Sequence, residues 1–313
     1  MTDVVVVLGM HRSGTSTVAG TLTKLGGAAP NHLMAADSVN ARGYFESVPF
    51  MNFHDELLAS AGSYWHDWRK FNPSWYKSPA IGAYKQRAKE IFVSEFGDAP
   101  LPILKDPRIC RFLSFWLDVL KEMEATPHIV IPIRSPLDVA VSLRHIHNIS
   151  LPKGLLLWLR HVLDVEVQTR STARSLFTWN QFLSDWRLVS NKISLDTGLS
   201  WPCLSDHSAQ EIDQFLSSEL VHSNTAHAAL ITHPDVHEWT IRAYEALVEL
   251  ASNPSSTSAS ERLDEIHALF EQSSAMFGPI LADYEIDLED LRAQANASRS
   301  KNDLLSVQQR HQG

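Results

Sequence analysis

Hydroxyl and basic side chains crowd between two glycines near the start of the chain, in GMHRSGTS from Gly9 to Ser16. The spacing is that of the nucleotide-phosphate loop G-x-x-x-x-G-K-[ST], except that Thr15 stands where that loop has its lysine. The apolar run VVVVLG before it reads as a buried strand, and a helix is expected from Thr15 to Leu25. Backbone N–H groups then gather at a helix N-terminus, where the macrodipole also favours an anion. Without the lysine, nothing aims a cation at β- and γ-phosphates, which disfavours an ATPase or GTPase. Arg12 brings a charge onto the loop instead, and Ser13, Gly14, Thr15 and Ser16 offer amides and hydroxyls to a phosphate. The alternative is an ordinary strand-turn-helix corner.

A second cluster lies in IVIPIRSPLDVAVSLRH, where Arg134 ends an apolar run and Ser142 follows eight residues later, about two turns into a helix. Such a pair can grip a second phosphate. A third polar group, Lys105 to Arg108, follows the run LPILK.

The elements that must position these groups are short β-branched runs alternating with helical stretches, which predicts an α/β fold. It is a three-layer arrangement with a parallel sheet of about four to five strands flanked by helices. Strands are expected at VVVVLG, 101–105, 128–134 and 175–179, and helices at 109–124, 137–147, 155–170 and 181–193. Ligands bind such sheets beyond the carboxyl ends of the strands, where all three polar groups fall. Beyond these, 234–252 and 260–276 read as amphipathic helices separated by SNPSSTSAS. The expected division is an α/β domain over 1–230, a helical extension over 231–280, and a polar helical or disordered tail over 281–313.

A net charge of -9 leaves no chain-wide basic field, so nucleic acid and acidic membranes are not expected partners. Cys110 and Cys203 lie far apart without metal-site or redox spacing, which points to reduced thiols and a cytoplasmic setting. The apolar run at 4–10 is too short to span a bilayer. Among the 15 histidines, His11 with His54 and His145 with His147 form no recognised zinc signature, so no metal is expected.

The loop and the Arg134–Ser142 element together resemble the sulfotransferases that use 3'-phosphoadenosine 5'-phosphosulfate (PAPS). NARGYFE (Asn40 to Glu46) and KDPR (Lys105 to Arg108) resemble elements of the bacterial members. The resemblance covers roughly residues 3–225, and implies a P-loop-like fold and in-line transfer of a sulfuryl group to an acceptor hydroxyl or, less readily, an amine. It implies that the loop binds the 5'-phosphosulfate and that Arg134 and Ser142 bind the 3'-phosphate. Arg12 is then the group that stabilises charge on the leaving phosphate. Lys105 either contacts the phosphosulfate or pairs with a carboxylate such as Asp106.

Cytosolic members carry a histidine after the second strand, whereas Pro107 follows Lys105-Asp106 here. Carbohydrate and protein-tyrosine members instead use a glutamate soon after the first helix, and Glu46 sits at a comparable place, so the resemblance implies Glu46 as the general base, with Asp106 second. Glu46 can alternatively stabilise the N-terminus of a helix after Val48. The late basic loop of the family also has no Arg or Lys counterpart in Phe215 to Asn224, leaving His222 as its stand-in. Trp179 falls where the family often sets an aromatic against adenine, or packs in the core.

GSYWHDWRKFNPSWY, residues 62–76, mixes aromatic and polar groups. It suits a sugar ring or phenol, or anchors a structural loop. A glycan, glycolipid or small-molecule acceptor is the expected partner, and the oligomeric state is open. The other readings are a non-catalytic nucleotide-binding scaffold and a small-molecule kinase with a degenerate loop.

Overall fold

The computed structural model describes residues 2–37, 40, 42–217 and 227–310. Four parallel strands, β1 (Thr2–Val7), β2 (Ile103–Lys105), β3 (Ala125–Ile133) and β4 (Arg174–Thr178), form a sheet in the order β2-β1-β3-β4. Val4 to Val7 are fully buried, as expected of a strand covered on both faces. Val7 pairs with Lys105 on one side and with Val130 on the other. The chain runs from β1 to β2 and from β3 to β4 in opposite directions, which opens a crevice at the carboxyl ends of β1 and β3.

The helices are α1 (Thr15–Lys24), α2 (Val48–Ser60), α3 (Ile81–Phe96), α4 (Leu113–Glu122), α5 (Pro136–His147), α6 (Leu151–Thr169), α7 (Trp179–Ser184), α8 (Trp186–Thr197), α9 (Asp206–Leu216), α10 (His227–Thr232), α11 (Glu238–Ser252) and α12 (Thr257–Arg310). Short 3-10 turns occupy Pro73–Lys77 and Pro107–Arg111. On one face of the sheet, Val5, Val7, Val130 and Phe177 pack with Val18 and Leu22 of α1, Val189 and Ile193 of α8, and Ile212 of α9. By the alternation of a strand, Val4, Val6, Ile129 and Ile131 turn to the other face.

One expectation changes. The helix expected over 181–193 is divided, because Thr178 caps α7 in a capping box with Gln181 and Asp185 accepts from the Leu188 N–H at 3.0 Å to start α8. The chain divides into two compact units, of which the first is Met1–His267. Leu230 is buried with Leu137, Ala140, Leu151 and Leu155, and α11 packs against β3 and β4. The second unit, Ala268–Gly313, holds the rest of α12, with Pro279 inside the helix. No described helix is long and apolar enough to cross a membrane.

Candidate functional site

The loop after β1 is shaped by close approaches. The Gly9 N–H donates to Cys110 Sγ at 3.2 Å, and a Cβ on Gly9 would stand 3.0 Å from Thr15 Cγ2. Arg12 and Gly14 both take left-handed backbone, at φ 70° and 85°. Gly14 caps α1 without a side-chain bond to the helix amides. A Cβ there would lie 2.3 Å from the Trp179 ring, so only glycine fits. The side chains of Ser13 and Thr15 are buried, whereas Arg12, Gly14 and Ser16 are partly exposed. Among the loop hydroxyls, Ser16 is therefore the reachable one, and Ser13 and Thr15 are left to contribute backbone.

The second predicted element closes onto this loop. Arg12 Nε donates to Ser142 Oγ on α5 at 3.0 Å, and Arg134 NH1, beyond β3, donates to the Arg12 carbonyl at 2.9 Å. The Arg134 guanidinium stands 5.5 Å from the centroid of Trp179, a cation–π distance. Trp179 itself is 5% exposed and part of the core beside Phe182. Its burial favours the packing role: it supports Gly14 and Arg134 from below rather than offering a free face to a base. His222 lies outside the described residues.

Lys105, at the end of β2, reaches the same loop from the other side. Its Nζ donates to Ser16 Oγ at 3.0 Å, to the Tyr44 carbonyl at 3.0 Å, and to Glu46 Oε1. Lys105 and Glu46 are each 4% exposed. The ion pair expected of Lys105 is thus made with Glu46 and not with Asp106. Burial raises the Glu46 carboxyl above its ordinary range, against the pull of Lys105 and with a further push from Asp106. Ser47, not Glu46, caps α2, accepting from the Phe50 N–H at 3.1 Å.

Phe45 is held at φ 53°, an unfavourable conformation for a bulky residue, with its ring against Gly20 of α1. Strained backbone therefore sits directly before the Glu46 carboxylate. The Tyr44 phenol, pushed up to about 12 by burial and by its hydrogen bonds to Asp37, stays protonated.

Asp106 is 1% exposed and fully engaged. Its Oδ2 meets His54 Nδ1 at 2.9 Å, and its Oδ1 accepts from the Arg108 N–H at 2.9 Å and from Arg108 NH1 at 3.2 Å. Burial would raise this carboxyl, but Arg108 and His54 outweigh it and hold it well below the ordinary range. A carboxylate so held is a poor proton acceptor, which argues against Asp106 as a general base.

His54 Nε2 in turn accepts from Trp116 Nε1 at 3.0 Å, so both ring nitrogens are taken by protein groups and none is left for a metal. Arg108 also reaches Asp55, with Nε to Oδ1 at 2.6 Å, and stands 3.8 Å from Glu46 Oε2. Sequence reasoning met Arg108 only as the end of the KDPR element and His54 only beside His11 as a metal pair set aside, and gave neither a role in this network. The only local signal is Asp-Pro-Arg, in which Asp106 caps the turn that Pro107 opens.

The aromatic stretch divides in two. Trp68, Phe71 and Trp75 are buried anchors, while Tyr64, Trp65 and His66 are only partly covered. Two buried arginines hold this loop by its backbone: Arg111 donates to the carbonyls of Asp67 and Arg69, and Arg160 Nε donates to that of Trp68 at 2.8 Å. Trp65 then stands edge-on to His11 of the loop after β1, with ring centroids 4.8 Å apart, and to His147 at 5.2 Å. Burial, with Arg108 nearby, lowers His11 well below the ordinary histidine value, so the ring is neutral at pH 7.

No protein-family model and no curated protein matches the chain. Among solved structures it is similar to the sulfotransferase domain of the Synechococcus PCC 7002 olefin synthase, with a TM-score of 0.42 and 14% identity over 85% of this chain and 94% of that one. It is also similar to mouse sulfotransferase SULT7A1 complexed with PAP, with a TM-score of 0.37 and 15% identity over 90% of this chain and 89% of that one. What this chain does has to be read from its own residues.

Proposed function

We propose that the protein is a PAPS-dependent sulfotransferase. The observation that carries this reading is the meeting of two phosphate-gripping elements: Arg12 is bonded to Ser142, and Arg134 to the Arg12 carbonyl, across 130 and 122 residues of sequence. One anion at the uncapped start of α1 and another between Arg134 and Ser142 suit a nucleotide with phosphates on both its 5' and 3' positions. Lys105, reaching Ser16 from β2, supplies a cation at the loop without the lysine of a triphosphate loop.

In the reaction, the acceptor oxygen forms a bond to sulfur while the bond from sulfur to the 5'-phosphate oxygen breaks, its electron pair leaving on that phosphate. Arg12, Lys105 and the α1 amides stabilise the charge that develops there. Glu46 takes the acceptor's proton, its burial supplying the raised carboxyl such a base needs. The acceptor is a hydroxyl of a glycan, glycolipid or small molecule, approaching past Trp65 and Tyr64.

Titration calorimetry with 3'-phosphoadenosine 5'-phosphate (PAP) and with ATP–magnesium, on the protein and on Arg134→Ala, tests the reading. PAP binding that Arg134→Ala weakens supports it. Absence of PAP binding, or preference for ATP–magnesium, overturns it.

A further inference from the structure

We propose that Arg108 is a positioning residue for Glu46, holding the carboxylate in place as a proton acceptor when the donor's anionic groups draw Lys105 away. The inference rests on the sulfotransferase reading above.

Lys105 has three donor hydrogens, and Ser16, Tyr44 and Glu46 take all of them. Ser16 is the loop hydroxyl that a donor would meet. An incoming sulfate and phosphate there compete with the one anionic partner Lys105 has among the described residues, which is Glu46. The lysine stem is flexible and follows the new anion with little movement.

Arg108 is tied down instead. Its Nε and NH2 lie 2.6 and 3.4 Å from the two oxygens of Asp55, and its NH1 lies 3.2 Å from Asp106, which His54 holds at 2.9 Å. That leaves Arg108 NH1, 3.8 Å from Glu46 Oε2, as the cation still facing the carboxylate once Lys105 has turned. The charged and titratable groups that bear on Glu46 are Lys105 from β2, Arg108 and Asp106 from the 3-10 turn, and Tyr44 from its own segment. Of these, Asp106 disfavours the ionised carboxylate. Arg108 offsets it, so Glu46 remains a base at the moment the donor is seated.

The test is the number of protons taken up on PAP binding at pH 7, obtained by calorimetry in buffers of different ionisation enthalpy. Arg108→Met is expected to take up close to one proton more per PAP than the unmodified protein, because Glu46 then loses its last cation. Arg108→Lys is expected to bring the count back towards the unmodified value. Glu46→Gln combined with Arg108→Met is expected to abolish the extra proton, which separates Glu46 from Asp106 and from the phosphates of PAP itself.

A merely structural role would move affinity or stability and leave the proton count alone. Arg108→Gln, which keeps a donor beside Asp106, carries the same expectation if the methionine variant does not fold. Equal proton uptake with and without the Arg108 charge overturns the inference. Failure of the unmodified protein to bind PAP instead overturns the donor reading itself.

Discussion

Two arginine-bearing regions flank the loop after β1, and they use charge differently. At the crevice between β1 and β3, Arg12 and Arg134 bond to a serine hydroxyl and a backbone carbonyl, at a partly exposed surface. Beside β2, Lys105 and Arg108 lie among the carboxylates of Glu46 and Asp106, in a nearly dry interior. Burial acts in the same direction on both buried acids, yet Glu46 is raised and Asp106 lowered, because Arg108, its backbone amide and His54 all bond Asp106 directly, whereas Arg108 only faces Glu46 at 3.8 Å. An open grip is suited to exchanging ligands. A closed network is suited to holding opposed charges at a set balance until one of its members moves.

Breaking the closed region should show most in stability. Asp106→Ala leaves Arg108 and His54 without their buried partner and is expected to destabilise the protein by about 3–5 kcal/mol, read from urea unfolding. The accompanying pH dependence has a definite sign. A carboxyl held below its unfolded value of about 3.9 contributes stability that is present above that pH and lost as pH falls through the folded value. Asp106→Asn should therefore flatten the acid side of the stability profile. Glu46, raised on folding, works the other way, and its contribution is lost as pH rises through its folded value.

Breaking the open region should show in function, with folding largely kept. Arg12→Ala is expected to slow conversion of PAPS to PAP by a factor on the order of 10²–10³, the cost of losing one group that stabilises developing charge. Arg134→Ala should weaken PAP binding by about 1.5–3 kcal/mol, a charge-assisted bond, as measured by calorimetry. Ser142→Ala removes one neutral hydroxyl and should cost only about 0.5–1.5 kcal/mol in the same titration. A comparable loss from Ser142→Ala and Arg134→Ala would show that hydroxyl geometry, and not charge, governs the grip.

The open region was legible in the sequence because its parts are local. The interval from Gly9 to Gly14 lies within one loop, and Arg134 and Ser142 lie only eight residues apart, directly after β3 and on α5. Backbone geometry alone therefore brings those side chains to the strand ends. The closed region was only half legible. Glu46, Lys105 and Asp106 stood out as candidates, but His54 and Arg108 were given no role in the network, and the carboxylate offered to Lys105, as the alternative to a donor contact, was its neighbour Asp106. In a strand, adjacent side chains point to opposite faces, and Lys105 instead meets Glu46 across 59 residues. Trp179 shows the same limit: its position after β4 was clear, but not that Gly14 and Arg134 rest on it.

By itself, the sequence determined the parallel α/β layout, the loop at the end of β1 and the cations placed at three strand ends. Periodicity and glycine spacing are properties of contiguous residues. Only the tertiary structure decided which acid each buried cation faces, that two arginines hold the aromatic loop by its carbonyls, and that burial drives neighbouring carboxyls apart in acidity. Those outcomes depend on distance and desolvation between segments that packing alone brings together.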